Sequence, residues 1–366
     1  MKVRLRDFIE TEIGFFAVNT YDHPKDKIFA FLRYLYLDNS NKDIIKKYRL
    51  DIKDIRQLNG KKYIKITDTK KTYDILKDYF PDYLYYDDTK DILLHAIPKD
   101  RIINILTPKD RLEEILIDSK NKFEEKCKYL ANIFHEEGID YKYMGISGST
   151  VIKLNNENSD IDFVIYSMEN HKLAREILKS IFNGEEENYK KKYKKIIHPL
   201  SEEFWKKAYN KRIKDNTISY NDFIFHERRK YNRGLIYNTM FDILATRDWR
   251  EINSKYGEIT YKGIGTIEIQ CRVINDRYIF DNPAIYGVED IEIIDTSLIE
   301  NNYHLEPSSI KEVVSYTHTY AGQAFNGEKI IVRGKLERVI SSKGEHMRVL
   351  VGTSREAFNE YILLIN

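Results

Sequence analysis

Two aspartates two residues apart, Asp160 and Asp162, open the apolar run Ile161, Phe163, Val164, Ile165. Such a run reads as a strand buried on at least one face, and residues i and i+2 leave a strand on the same side. Paired carboxylates repel each other, and burying them without partners is costly. A divalent cation removes that conflict, and hard oxygen ligands suit Mg²⁺. Upstream, Gly145-Ile146-Ser147-Gly148-Ser149-Thr150 supplies a Gly-Ser turn. With no Cβ in the way, Gly148 lets backbone N–H groups approach a phosphate. Metal on one side and phosphate on the other is a layout for nucleotidyl transfer.

Gly148-Ser149, the spacer after it and the Asp160-Ile161-Asp162 strand resemble the signature of the DNA polymerase beta-like nucleotidyltransferase superfamily, with residues 145–166 carrying the likeness. The resemblance implies that Asp160 and Asp162 hold two Mg²⁺ ions and that a nucleoside triphosphate (NTP) is the donor. It also implies that Gly148 and Ser149 grip the outgoing phosphates. The superfamily places a third carboxylate on a neighbouring strand between hydrophobic residues. Phe241-Asp242-Ile243 fits, so Asp242 is assigned that role ahead of Asp248. Lys153 follows the turn as a further phosphate candidate. Arg228, Arg229 and Arg233 precede the Asp242 strand, and arginine's planar fork suits phosphate; a solvated charge cluster is the plainer alternative. A lone His226 has no partner at ligand spacing.

The distance from Asp162 to Asp242 implies a basic helical insertion at about 185–225. It contains Lys190, Lys191, Lys192, Lys194 and Lys195, then Lys206, Lys207, Lys211, Arg212 and Lys214. Beside a phosphate-transfer site, such a stretch would attract a polyanion. An acceptor hydroxyl on RNA is the first expectation, tRNA being one case. The alternatives are a non-catalytic nucleic-acid-binding protein on the same fold and an enzyme transferring AMP to protein. Archaeal tRNA CCA-adding enzymes share the motif but carry it nearer the N-terminus. As a whole, the chain resembles archaeal nucleotidyltransferases.

With 366 residues and a formal net charge of +2, two or three domains are expected, without a global charge bias. Abundant Lys, Glu, Ile and Tyr resembles thermophile usage. Cys127 and Cys271 read as buried thiols rather than a disulfide. The start lacks a signal-peptide core and no apolar span reaches membrane length, so a cytoplasmic protein is expected.

The fold class expected is α+β. A mixed-sheet nucleotidyltransferase core with helices on one face spans 105–256, with an α+β domain (1–104) before it and a small β-rich, OB-like domain (257–366) after it. In the first domain, 15–18, 61–66, 83–86 and 92–97 read as strands, whereas 25–37 carries apolar residues at helical spacing. The aromatics Tyr79, Phe80, Tyr83, Tyr85 and Tyr86 read as core and rim, with base stacking as the alternative. His23 and His95 read as structural. Thr107-Pro108 signals a helix start, and helical spacing then continues to Gly138. A further helix is expected over 169–182, another from Ser201, and a strand over 239–245. In the last domain, 265–274, 291–294 and 329–336 alternate, and a hairpin at 341–344 leads into 347–351. Arg333, Lys335, Arg338 and Arg348 would give that domain a basic face.

Overall fold

The computed structural model describes residues 2–184, 192–193, 195–299, 305–354 and 356–365; the expected cations Lys190, Lys191 and Lys194 lie outside them. The protein is a mixed α+β chain that divides into two compact units, Met1–Tyr166 with Trp249–Gly257, and Ser167–Asp248 with Glu258–Asn366.

The first unit begins with β1 (Phe8–Thr11), β2 (Gly14–Val18), β3 (Lys27–Leu37), α1 (Asp43–Lys47), β4 (Ile55–Leu58), β5 (Lys61–Lys65), α2 (Thr69–Tyr79), β6 (Leu84–Asp87), β7 (Ile92–Pro98) and β8 (Asn104–Leu106). The strands form one sheet in the order β4-β5-β3-β2-β1-β8, with β7 also pairing to β3 and β6 to β7. One face packs Ile9, Phe16, Ile28, Leu32, Leu35 and Ile64 against Ile44 of α1 and Ile75 and Leu76 of α2.

Residues 27–37 are a strand, not the helix their spacing suggests. The cause is a bulge: Phe16 pairs with Leu32 and Phe15 with Tyr34, leaving Arg33 as an extra residue. Ile28, Leu32 and Leu35 therefore share one face at i, i+4, i+7, which is also a helical stripe. Tyr83 is buried and stacked on Phe16, so the aromatic cluster contributes mainly to the core. His23 and His95 accept backbone N–H groups from Phe29 and Leu32.

The expected long helix is two: α3 (Pro108–Ile117) and α4 (Lys122–Glu136). Thr107 caps the first by accepting from Asp110 N, and Asn121 caps the second by accepting from Phe123 N and Glu124 N. Asp-Ser-Lys-Asn at 118–121 supplies the interruption, since these side chains compete for backbone groups. β9 (Met144–Ile146), the single-turn α5 (Gly148–Val151) and β10 (Ile161–Tyr166) complete this part, β9 pairing antiparallel to β10.

The second unit opens with α6 (Met168–Asn183), β11 (Ile197–His198), α7 (Glu202–Arg212), α8 (Tyr220–Lys230), β12 (Arg233–Ile236) and β13 (Thr239–Thr246). β11, β12 and β13 pair antiparallel in that order. β14 (Ile259–Tyr278), β15 (Ala284–Ile299), β16 (Ile310–Ser315), β17 (Lys329–Ser341), β18 (Gly344–Val351) and β19 (Tyr361–Leu364) follow. Five of these close a ring: β14 pairs with β15, β15 with β16, β16 with β18, β18 with β17, and β17 with β14. Only the β16–β18 pairing in the ring is parallel. Inside lie Ile267, Ile269, Val273, Tyr286, Val313, Val332, Leu336 and Val349, against which Trp205 of α7 and Phe223 of α8 also pack.

The expected basic face of this ring is not there. Arg333 pairs with Glu268 at 3.2 Å, Lys335 with Glu337 at 3.0 Å, Arg348 with Glu337 at 2.7 Å, and Arg338 with Glu345. Antiparallel pairing sets these carboxylates beside the cations on adjacent strands. Cys127 and Cys271 are buried free thiols. Among the described residues, no helix is long and apolar enough to cross a membrane.

Candidate active site

Asp160, just before the strand, is exposed and Asp162 is half-buried, whereas Ile161 and Phe163 are buried, the alternation of a strand with one open face. Asp162 lies directly over the Gly-Ser turn. Its backbone carbonyl accepts from Ser147 N at 2.9 Å. A Cβ on Gly148 would fall 1.8 Å from Asp162 Oδ2, and Gly148 sits at φ +63°. Glycine is required twice here, by backbone conformation and by the carboxylate above it. Ser149 Oγ is 3.5 Å from Ser159 Oγ, in the loop that delivers Asp160.

Several residues that spacing did not flag hold this turn. Ser147 Oγ donates to the carbonyl of Arg6 at 2.8 Å. Arg111 donates to Thr150 O at 3.0 Å through Nε and to Glu124 Oε1 at 2.5 Å through Nη2, tying α3, α4 and α5 together. Both charged partners are buried, so each offsets the other's desolvation and losing either would be costly. At Gly145 a Cβ would lie 2.7 Å from Pro108, so α3 seats tightly on β9. Tyr34, from β3, lies beside the turn. Its hydroxyl interacts with that of Ser149, and burial, with the Asp162 carboxylate nearby, pushes it up to about 12. The signal for Arg111 was faint but present: an arginine on the apolar stripe of α3.

Lys153, at φ +56°, pairs with Glu114 of α3 at 2.9 Å. Asp242 lies on β13 opposite Arg233 of β12. Arg233 Nε is 2.8 Å from Asp242 Oδ1 and its Nη1 is 3.6 Å from Glu227 Oε2. Glu227 also pairs with Lys230 at 2.5 Å and Arg212 at 3.1 Å, and Lys230 donates to Thr319 O at 2.8 Å. Glu227 and Lys230 are fully enclosed. The surrounding cations hold the Glu227 carboxyl low, while burial holds the Lys230 amine low. Arg233, only 8% exposed, thus faces carboxylates and fixes Asp242. Arg228 pairs with Glu202, and Arg229 with Glu328. His226 is bonded to the backbone at Gln323 O and Leu364 N, not to other ligand side chains.

Among the described residues, no three His, Cys, Asp or Glu side chains are grouped as a metal centre. The donors at Asp160 and Asp162 still fit Mg²⁺, which is ordinarily held by one or two carboxylates, with water and substrate phosphates filling the rest.

The model of the nucleotidyltransferase domain matches residues 127–220, which include Gly148, Ser149, Asp160 and Asp162 but not Asp242. Over 366 residues the chain is 52% identical to the protein called "Uncharacterized protein MJ1086" of Methanocaldococcus jannaschii, covering 99% of each. No solved structure matches the chain.

Proposed function

We propose, from the premise that this chain belongs to the DNA polymerase beta-like nucleotidyltransferase family, that it moves a nucleoside monophosphate from an NTP to an RNA hydroxyl and releases pyrophosphate. The observation that carries this reading is the seating of the Asp162 carboxylate on Gly148, which joins the two halves of the motif in one cradle. Asp160 and Asp162 would supply the oxygen donors for two Mg²⁺ ions, whose chemistry would be to lower the pKa of the acceptor hydroxyl and to neutralise the leaving phosphates. Gly148 and Ser149 hold the outgoing phosphates, and Tyr34 fixes the Ser149 hydroxyl. Asp242 is the third carboxylate by the family pattern, oriented through Arg233. Catalysis then rests on positioning and charge neutralisation.

RNA as the acceptor is supported by the exposed lysines Lys206 and Lys211 of α7, with tRNA as a specific case. The strand ring resembles an OB-type barrel in number of strands and closure. Its paired cations, however, weigh against a purely binding role.

Each α-labelled NTP, incubated with Mg²⁺ and either total RNA or total protein of the source cell, tests the proposal. Label should enter RNA, and Asp160→Ala should lower turnover roughly 10³-fold or more without lowering the melting temperature. Label in protein would point to AMP transfer instead. Normal pyrophosphate release by Asp160→Ala would refute the site.

A further inference from the structure

The sheet of the first unit has a second apolar face. On it Phe8, Phe15, Tyr34 and Tyr63 pack against Val151, Ile152 and Leu154, the residues that follow Gly148 and Ser149. Register fixes which polar residues share that face, because side chains directly opposite on paired strands project together. Arg56 of β4 lies opposite Tyr63 of β5, and Lys65 of β5 lies opposite Tyr34 of β3. Arg33 is the residue displaced by the bulge, a device that re-aims a side chain at the edge of a site. Arg33 and Arg56 both act electrostatically on the Tyr34 hydroxyl, the group beside Ser149 and Asp162. Among the described residues, Arg56 has no carboxylate within ion-pairing distance.

We infer that Arg33, Arg56 and Lys65 form a phosphate-binding wall for the β- and γ-phosphates of the donor nucleoside triphosphate. The inference rests on the nucleotidyl-transfer reading of the same site. Three cations gathered at one end of the face match a compact, multiply charged triphosphate. A polynucleotide backbone would need an extended stripe, but the row that begins at Lys65 and Tyr34 runs through Phe15 to the carboxylate of Glu10. Arg33 and Arg56 also act on the Tyr34 hydroxyl, which meets Ser149, the residue that holds the leaving pyrophosphate in that reading. Two guanidinium groups suit non-bridging phosphate oxygens bidentately.

The test is equilibrium binding of ATP, GTP, CTP and UTP, and of the four monophosphates, to the full chain with Mg²⁺. The proteins compared are wild type, Arg33→Ala/Arg56→Ala, Arg56→Lys and, as control, Lys77→Ala on α2. The double variant should bind the preferred triphosphate about 10-fold or more weakly, with the monophosphate changed by less than about twofold. In turnover, KM for the triphosphate should rise while kcat stays near wild type, and Arg56→Lys should recover part of the loss. Wild-type triphosphate affinity in a folded double variant would overturn the wall while leaving the transfer reading intact. An equal loss for mono- and triphosphate would also overturn it. A wild-type chain that binds no nucleotide and releases no pyrophosphate would overturn both.

Discussion

The sheet of the first unit and the strand ring of the second both carry cations on their strands, yet differ in how particular ones are paired. In the ring, Arg333, Lys335, Arg338 and Arg348 all rest on carboxylates of their own or a neighbouring strand. On the sheet, Arg56, which acts on the Tyr34 hydroxyl, has no such partner among the described residues. A charge already neutralised by a neighbour adds little attraction for a polyanion, whereas an uncompensated one adds its full field. Counting basic residues therefore marks both regions as binding surfaces, and pairing separates them.

The sharpest break would come from the ring. Arg348 is 6% exposed and holds Glu337, itself 4% exposed. Arg348→Met should destabilise the protein by about 3 kcal/mol in denaturant unfolding, because it strips a buried carboxylate of its buried partner and leaves only the half-exposed Lys335 beside it. Triphosphate affinity of the folded fraction should not change. A stable variant with weakened nucleotide or RNA binding would show that this arginine serves a ligand after all.

On the sheet side, Gly148→Ala forces Asp162 off its seat. Turnover should fall about 10²-fold, since displacement of about an ångström at a reacting centre has that effect. Stability, by thermal melting, should fall by only about 1–3 kcal/mol. Near-normal kinetics would mean that the carboxylate seat is incidental.

Asp7 sharpens the contrast through pH. It is buried, accepts from Arg4 N at 2.9 Å, and burial pushes its carboxyl up to about 7 from an ordinary 3.8. The folded chain thus holds this proton more tightly than the unfolded one between those values. Stability should fall as pH rises from about 4 to 7 and change no further above that. Asp7→Asn, which keeps an oxygen acceptor, should flatten this window and add on the order of 2 kcal/mol at pH 8. An unchanged profile would place the titration elsewhere.

The smallest effect is expected at Arg338, paired with Glu345 but well exposed. Arg338→Ala should cost no more than about 0.5 kcal/mol in stability and leave nucleotide binding untouched.

What could be seen in the sequence was what is local. Gly148-Ser149 and Asp160-Ile161-Asp162 were legible because turn, spacer and strand lie within about twenty residues. Thr107-Pro108 was legible because a cap and its proline are adjacent. The strand at 27–37 read as a helix because one bulged residue turned a period of two into i, i+4, i+7. Asn121 divided a helix that its hydrophobic stripe alone would have carried through. Tyr34, Arg56 and Lys65 could not be placed, since strand register, not local sequence, sets them on the sheet face that packs against Val151 some hundred residues on. The pairing of ring arginines was equally hidden, each depending on which strands become neighbours.

The apolar seam between the first sheet and Val151, Ile152 and Leu154 has a practical meaning for dissection of the chain. A truncated protein starting at residue 105 would bare three aliphatic side chains to water and deprive Ser147 of the Arg6 carbonyl it grips. The motif that looks self-contained on paper has half of its foundation in residues made more than a hundred positions earlier, so it is not expected to survive excision as a minimal catalytic fragment.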